Sequence, residues 1–323
     1  MDGLDALIPD DKLPPTLAAV VREQSGIPWS RARRLCEDGR VTVDGVPCLD
    51  PAARVKPGAV VVVNEHAPKR RKGPLPEDAI VYADRDLVVI DKPAGMLSVA
   101  DEAGNKDTAA DHVRTELRSR GERDRDAPLG IVHRLDRDTS GLMVFARTAE
   151  AKRVLAAMFK AHDIERVYHA IAHGKVLAAR VDTHLVLDRG DGLRGSHGHY
   201  RRAKEEPPVE ARQAITFVKP LQALEGATLV ECRLETGRQH QIRIHLAELG
   251  NPIVGERVYI RDYRGAKIES ARPMLHARKL AFAHPRTGAP LSFERDPPED
   301  FEGMRRLLKA RDAERGPPGA MPA

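Results

Sequence analysis

Short apolar runs follow one another closely between residues 77 and 296, and this spacing constrains the fold more than any other feature. They include "IVYADRDLVVIDKP", "GLMVFAR", "RVYHAIAHG", "ATLVECRL" and a last pair near "MLHARKLAFAHP". Runs of this length between turn residues are typical of strands. Helical periodicity is confined to fewer segments, such as "TAADHVRTELRSRG" and "AEAKRVLAAMFKAH". Because strands outnumber helices and several links are short, we predict an α+β fold with a mixed, largely antiparallel sheet and packed helices.

A small α/β domain is predicted at residues 13–64, ahead of this sheet. The segment "TLAAVVREQ" has one apolar side, and Gly26 ends it. Ser30 is the predicted N-cap of a second short helix, "RARRLCED". The segment "RVTVDGVPC" then indicates a hairpin that turns at Asp44-Gly45, and "AVVVVN" indicates a further strand.

The remaining segments are predicted to lie outside both domains. Residues 65–76, "EHAPKRRKGPLP", are rich in proline and basic side chains and lack an apolar period, which indicates a basic linker. Residues 297–323 end in "RDAERGPPGAMPA" and are predicted to form a disordered tail. The boundaries of the larger domain are therefore 77–296.

Composition excludes some classes of protein. The acidic start "MDGLDALIPD" has no apolar run of the kind a signal peptide needs, and no stretch reaches the length of a membrane span. The three cysteines are scattered, so neither a disulfide framework nor a zinc site is expected. We expect a monomeric protein of the reducing cytoplasm without membrane partners. The net charge of +5 does not by itself establish a polyanionic partner.

One polar loop interrupts the apolar pattern at residues 133–141, "HRLDRDTSG". Asp136 and Asp138 flank Arg137, but residues i and i+2 of an extended chain point to opposite sides. Their spacing therefore does not by itself make a general acid–base pair. The segment "TSG" can turn the chain and hydrogen-bond a carboxylate. Composition and spacing leave two interpretations open, a catalytic loop and a structural turn between strands.

A second polar feature lies on the helix predicted within residues 235–252, "ETGRQHQIRIHLAELGNP". Thr236 and Gln239 fit a capping box, and the following apolar residues recur on one side. Arg243 lies at the edge of that apolar stripe. A long cation there either reaches water or pairs with a carboxylate, and the segment alone does not decide between them.

No cofactor or metal site is predicted. "GDGLRG" at 190–195 matches a dinucleotide-binding pattern but lacks the apolar helix that must follow it. The stretch is better interpreted as part of a flexible insertion at 188–208. The histidines of "HQIRIH" are five residues apart and fall on different faces of a helix, so they do not form a metal site.

Four segments taken together resemble the RluA-type pseudouridine synthases. They are "LVVIDKPAGML", "GIVHRLDRDTSGLMVFAR", "RVYHAIAHG" and "RLETGRQHQIRIHLAELGNPIVGE". The N-terminal domain is similar to the S-four type of RNA-binding module, through "WSRARRLCEDGRVTVDG" and "VKPGAVVVV". In that family the second helix and the following turn contact RNA. The resemblance therefore implies RNA-binding roles for four basic residues, Arg31, Arg33, Arg34 and Arg40.

The resemblance also implies roles for residues of the larger domain. Asp136 matches the aspartate essential to the family, and Arg243 matches the basic residue that pairs with it. Tyr168 matches the tyrosine that stacks on the target base and assists proton removal. Arg134 matches the arginine that enters RNA near the vacated base position, and Leu275 is expected to line the pocket. Such enzymes isomerise uridine to pseudouridine without a cofactor.

The expected function is an RNA pseudouridine synthase, an isomerase that acts on structured RNA, most of all large-subunit ribosomal RNA. Transfer RNA is the alternative substrate. A non-catalytic RNA-binding protein of ribosome assembly is a rival of another class, and a metal-dependent nuclease is a weaker one. The sequence does not identify the target uridine, nor whether Asp136 attacks the sugar or removes a proton from it.

Overall fold

The computed structural model describes residues 14–38, 40–43, 46–48, 50–63, 75–76, 78–100, 107–119, 129–190, 192–199 and 206–315. The chain divides into two compact units, Met1–Gly73 and Pro74–Ala323. Their boundary falls within the predicted linker, of which residues 65–74 lie outside the described residues. Leu75 is buried in the core of the C-terminal unit, so the linker ends earlier than predicted. No helix in the described part combines the length and apolar character needed to cross a bilayer.

The N-terminal unit consists of two helices and a small antiparallel sheet with the strand order β2-β1-β3. Its elements are α1 (Leu17–Ser25), α2 (Trp29–Glu37), β1 (Val41–Val43), β2 (Val46–Pro47) and β3 (Val61–Val63). Thr16 caps α1, and Gly26 ends it with φ 62°. The predicted N-cap Ser30 is wrong, because it lies inside α2. Pro28, with φ −59°, is compatible with a helix start and lets the helix begin at Trp29.

The C-terminal unit is built on a large sheet, and the described strands follow the order β10-β9-β11-β12-β8-β13-β7-β5-β4. In addition β14 pairs with β13, and β6 pairs with β7. The strands are β4 (Ile80–Ala83), β5 (Leu87–Lys92), β6 (Gly130–Ile131), β7 (Ser140–Ala146), β8 (Glu165–His173), β9 (Ala179–Val186), β10 (Gly195–Ser196), β11 (Arg212–Leu224), β12 (Ala227–Leu234), β13 (Leu275–Ala283) and β14 (Pro290–Glu294). Among the described strands, β13 and β7 form the single parallel pair. The predicted mixed, largely antiparallel sheet is confirmed.

Helices cover both faces of the strand that leads out of the 133–141 loop. The helices of this unit are α3 (Ala109–Ser119), α4 (Ala149–Ala161), α5 (Gln241–Glu248) and α6 (Glu299–Arg315). Every residue of β7 is buried, and alternate residues enter different clusters. Met143 packs in the cluster that contains Val113 of α3, whereas Val144 packs with Leu155 of α4. A strand buried on both faces gives the loop before it a rigid base.

Part of the insertion at 188–208 is ordered by the sheet and by α5. Its strand β10 pairs with β9. Glu248 of α5 accepts a hydrogen bond from the backbone N–H of Ser196 at 2.8 Å. Ser196 is 2 % exposed, so the prediction of a flexible insertion is wrong for β10, while residues 191 and 200–205 lie outside the described residues.

The predicted disordered tail is wrong for residues 299–315, which form α6. Phe301 is 0 % exposed and Leu308 is 1 % exposed, and both join the main core. Three acidic residues in the first turn favour the start of the helix. The apolar spacing of Phe301, Met304 and Leu308 is the sequence signal of this helix, hidden by the charged residues around it. Residues 316–323 lie outside the described residues.

Two neighbouring leucines test whether α6 is docked. Leu308→Ala is expected to lower the free energy of unfolding by about 2–5 kcal/mol, because it leaves a cavity in the core. Leu307 is 46 % exposed, and Leu307→Ala should change that energy by less than about 0.5 kcal/mol. Denaturation in urea measures both variants, and equal effects would show that α6 does not pack as described.

Candidate active site

The 133–141 loop is fixed to β7 by its first residue. His133 Nε2 accepts a hydrogen bond from the backbone N–H of Val144 at 3.0 Å, and its ring stacks on Phe159 with centroids 4.6 Å apart. Burial lowers the pKa of His133 to about 3, and Arg166 adds to this effect. The imidazole is therefore neutral at physiological pH and holds the loop as a hydrogen-bond acceptor.

The main chain before and after Asp136 is held by residues of β5 and the segment after it. Ser98 Oγ donates to the carbonyl of Leu135 at 2.7 Å and accepts from its N–H at 3.1 Å. Lys92 is 0 % exposed, and its Nζ donates to the carbonyls of Arg137 at 3.0 Å and Met96 at 2.9 Å. The position of Asp136 therefore depends on a buried cation that sequence reasoning missed, although Lys92 stands out after the apolar run "LVVID".

The second half of the loop is a turn locked against β13. The Thr139 N–H donates to the carbonyl of Asp136 at 3.2 Å. Ser140 Oγ lies 2.9 Å from His276 Nδ1. Gly141 has φ 111°, and a Cβ there would collide with the backbone of Ala277. These contacts support the interpretation of "RDTSG" as the turn that shapes the loop.

Asp136 meets Arg243 of α5. The guanidinium Nη1 donates to Asp136 Oδ2 at 3.3 Å. Its Nε and Nη2 donate to Glu256 at 2.7 and 2.8 Å. The Glu256 side chain is fully buried, and its Oε1 also accepts three backbone N–H groups at 2.9–3.3 Å, from Arg257, Val258 and Tyr259. Arg243 therefore pairs with carboxylates rather than extending into water.

The charges of this cluster stabilise one another. Burial lowers the pKa of Arg243, but the hydrogen bonds and charge of Glu256 more than offset this and leave the pKa above its ordinary value. Burial raises the pKa of Glu256, and the hydrogen bond and charge of Arg243 reverse that change, so its pKa is below the usual range. Both groups are therefore ionised at neutral pH, and Arg243 presents a permanent positive charge to Asp136.

The start of α5 differs from the predicted capping box. Thr236 Oγ1 donates to the side-chain oxygen of Gln241 at 2.9 Å instead of capping the helix. The amide of Gln241 donates in turn to Ile215 and Thr216 of β11, which fixes the start of the helix at Gln241. His240 has the left-handed φ of 59°. This turn brings its Nε2 to 3.8 Å from Asp136 Oδ1, a proximity that sequence reasoning missed.

Tyr168 and Leu275 lie in the core beside this cluster. Tyr168 on β8 is opposite Ala277 of β13 and is 8 % exposed. Leu275, the first residue of β13, is 4 % exposed. Burial raises the pKa of Tyr168, and the negative charge of Asp136 raises it further, so the phenol keeps its proton at neutral pH. A base can stack on the whole ring only after neighbouring side chains move.

A cavity of about 290 Å³ opens over Asp136. Arg134 is exposed and lines it, together with residues of the loop, of the turn before α5 and of the segment before β13. The lining residues are Leu97, Arg134, Asp136, Arg137, Asp138, Thr139, Gln239, His240, Arg243 and Pro273. The structure thus brings Asp136, Arg243 and Arg134 to one cavity, and Tyr168 and Leu275 to the core.

Three residues of metal-ligand type, Asp84, Asp86 and His284, have ligand atoms within 4.8 Å of one another. Their groups are already used in hydrogen bonds. Asp84 accepts from Tyr82 and His284 at 2.7 and 2.8 Å, and Asp86 accepts from Arg286 at 2.6 Å. We interpret this cluster as a brace between strands.

The four predicted RNA-binding residues lie on or just after α2. Arg34 is exposed on the side of α2 opposite its buried residues, and Arg33 and Arg31 are exposed on the two flanks of that side. Arg40 follows the helix and is half-buried. Exposed arginines of this kind can contact a phosphate backbone.

The sequence is similar to those of known proteins. RNA pseudouridylate synthase sequences match residues 86–248, and the S4 domain matches residues 17–61. The ribosomal large subunit pseudouridine synthase D of Pseudomonas aeruginosa is 36 % identical over 296 residues, which are 87 % of this chain and 87 % of that protein. The protein of the same name from Zymomonas mobilis is 35 % identical, over 86 % of this chain and 88 % of its own length.

The fold also matches a solved structure. Human RNA Pseudouridylate Synthase Domain Containing 4 superimposes with a TM-score of 0.57 at 24 % identity, over 72 % of this chain and 93 % of the human chain. The sequence matches show that the chain belongs to the RNA pseudouridylate synthase family and carries an S4 domain at its N-terminus.

Proposed function

We propose that this pseudouridine synthase isomerises specific uridines of large-subunit ribosomal RNA and that Asp136 performs the chemistry. The observation that carries the proposal is the carboxylate of Asp136, held at the rim of a cavity by the guanidinium of Arg243 at 3.3 Å. The relatives from Pseudomonas aeruginosa and Zymomonas mobilis are named for the large ribosomal subunit, which supports this class of RNA. Transfer RNA is the alternative substrate.

The reaction detaches uracil from its ribose, rotates it and joins it again through carbon 5. The carboxylate of Asp136 either attacks the anomeric carbon of the sugar or removes its 2′ proton. Both routes need an ionised carboxylate with one accessible oxygen. Asp136 Oδ2 accepts from Arg243, whereas Oδ1 lies 3.8 Å from His240, beyond hydrogen-bond distance, and so can face the substrate.

The target nucleotide must leave its stack to reach Asp136, because the cavity of about 290 Å³ is at the lower end of ordinary ligand sites. A cavity of this size suits one nucleotide rather than a duplex. Unstacking costs a few kcal/mol, least in loops and open regions. The exposed Arg134 at the cavity offsets part of this cost by filling the position that the base has left.

Tyr168 is the proposed proton relay for carbon 5. Its raised pKa means that the resting phenol is protonated. It therefore acts by releasing its own proton to solvent as it receives the carbon 5 proton, or by donating a hydrogen bond, rather than as a pre-formed phenolate. Ala277 of β13 pairs with Tyr168 on β8 and with Gly141 at the end of the Asp136 loop, and this proximity supports a shared role of Tyr168 and Asp136 at one substrate.

Asp136 and Asp138 lie in the same loop, and replacing each in turn distinguishes a catalytic carboxylate from a structural one. Asp136→Asn is expected to abolish pseudouridine formation in transcribed large-subunit ribosomal RNA while RNA binding survives. Asp138→Asn should keep far more activity, because it is the backbone carbonyl of Asp138 that is held, by Arg272 at 3.1 Å. Mapping of pseudouridine in the presence of a chelator measures both variants. A well-folded Asp136→Asn protein that still makes pseudouridine, or wild-type protein that only cleaves or only binds the RNA, would contradict the proposal.

Glu256 tests how Arg243 is held. Glu256→Gln is expected to lower the free energy of unfolding by about 3 kcal/mol, because a buried guanidinium loses its charged partner. Turnover should fall as well, since Arg243 no longer keeps its direction toward Asp136. Glu269→Gln is the control, because Glu269 is exposed. Urea denaturation and turnover measure both variants, and an unchanged Glu256→Gln protein would remove the anchoring role.

The basic side of α2 tests the RNA-binding role of the N-terminal unit. Replacing Arg33 and Arg34 together by Gln should weaken RNA binding. It should also reduce the slope of log affinity against log salt by roughly 0.7–0.9 for each phosphate that the variant no longer neutralises. Lys56→Gln is the control, since Lys56 is exposed in the same unit but outside α2. If the slope stays at the wild-type value, α2 does not contact phosphates.

A further inference from the structure

Arg272 is a buried cation that touches the 133–141 loop from outside the cavity. Its side chain is 7 % exposed. Nη1 donates to the carbonyl of Asp138 at 3.1 Å and lies within 3.2 and 3.3 Å of the carbonyls of Pro273 and Leu275. Nη1 of Arg272 therefore links Asp138, two residues after Asp136, to the segment that leads into β13.

The charge of Arg272 is balanced by the first turn of α6. Nε and Nη2 donate to the two oxygens of Asp300 at 2.6 and 2.9 Å. Asp300 Oδ1 also accepts the N–H of Phe301 at 2.9 Å, and Phe301 is fully buried. A two-point contact fixes the plane of the guanidinium as well as its distance. The remaining nitrogen is thereby directed at the carbonyls.

The main chain around Arg272 also contacts the segment that carries Glu256, the residue that holds Arg243. Gly255 has φ 81°, and a Cβ there would collide with the Arg272 carbonyl, so the two backbones are in close contact. Met274 N–H donates to the carbonyl of Val254 at 2.9 Å. The next residue after Gly255 is Glu256, which anchors Arg243. Arg272 therefore lies between the loop of Asp136 and the anchor of Arg243.

We infer that α6 sets the relative position of Asp136 and Arg243 by holding Arg272 through Asp300. Arg272 and Asp300 are positioning residues: neither lines the cavity, and both act through the backbone of other residues. The inference rests on the proposed role of Asp136. It assigns a catalytic consequence to a helix that lies far from the reacting groups in sequence.

The mechanism predicts an effect on the chemical step rather than on RNA binding. Removing the charge of Asp300 frees the guanidinium to rotate, and the Asp138 carbonyl loses its donor. Small displacements of catalytic groups cost rate steeply. The RNA-binding surface on α2 belongs to the other unit and keeps its residues, so affinity for RNA should be preserved.

The test compares three variants of the full chain, Asp300→Asn, Asp300→Glu and Glu302→Gln, on the same ribosomal RNA. Asp300→Asn should lower kcat by about tenfold or more with KM within about twofold of wild type. Asp300→Glu keeps a two-oxygen acceptor and should restore most of the rate. Glu302→Gln is the matched control, because it breaks an ion pair to Arg305 at 2.7 Å in the same helix turn. It should leave kcat unchanged.

A second variant tests the inference if Asp300→Asn does not fold. Arg272→Lys keeps the charge but cannot make the two-point contact, and it should reproduce the kcat loss if Asp300→Asn fails to fold. Amide hydrogen exchange of the loop is read independently of activity. Exchange at Thr139, whose N–H donates to the backbone carbonyl of Asp136, should rise in Asp300→Asn and not in Glu302→Gln. Wild-type kcat or unchanged loop exchange in Asp300→Asn would overturn the inference, whereas inactive wild-type protein would overturn the proposed function instead.

Discussion

The arrangement of the active site depends on one guanidinium that lies between two carboxylates. Arg243 gives Glu256 two short hydrogen bonds and Asp136 one longer contact of 3.3 Å. Glu256 is fully buried and takes three backbone N–H groups in addition, which offset the cost of burying its charge. The sharing is therefore unequal. Arg243 is fixed by Glu256, and Asp136 is oriented by Arg243 while an oxygen is left for the substrate.

The sheet brings the loop of Asp136 close to the strand of Tyr168, because β13 pairs with both β7 and β8. The pairing sets His276 beside Ser140 and Ala277 beside Tyr168. The loop before β7 and the proposed proton relay on β8 are thus brought together by a strand more than a hundred residues away in sequence. The parallel pairing of β13 with β7 covers only two residue pairs. A side chain at Gly141 would collide there with the backbone of Ala277.

The sequence predicts the strands and proposes Asp136 as a site residue, but it does not reveal the residues that hold Asp136 in place. Alternating apolar runs specify strands, and the motif "HRLD" carries the resemblance. Lys92, Ser98 and Arg272 act on backbone carbonyls, so nothing in their own segments reveals the partner. The start of α5 was misplaced because the buried amide of Gln241, bonded to β11, outweighs a local capping box. The C-terminal helix was missed because its charge obscured three apolar residues.

The tight support of the loop also decides which parts of the site can move when RNA binds. Tyr168 is 8 % exposed, so a base cannot stack on its whole face in the observed arrangement. His133, Ser98, Lys92, Arg272 and His276 hold the loop along its length, and displacing it would break several buried hydrogen bonds at once. The exposed Arg134 and the turn at Gln239 and His240 carry fewer such contacts. For the proposed stacking of a base on Tyr168, opening from that side of the cavity breaks fewer of these hydrogen bonds than displacing the loop of Asp136.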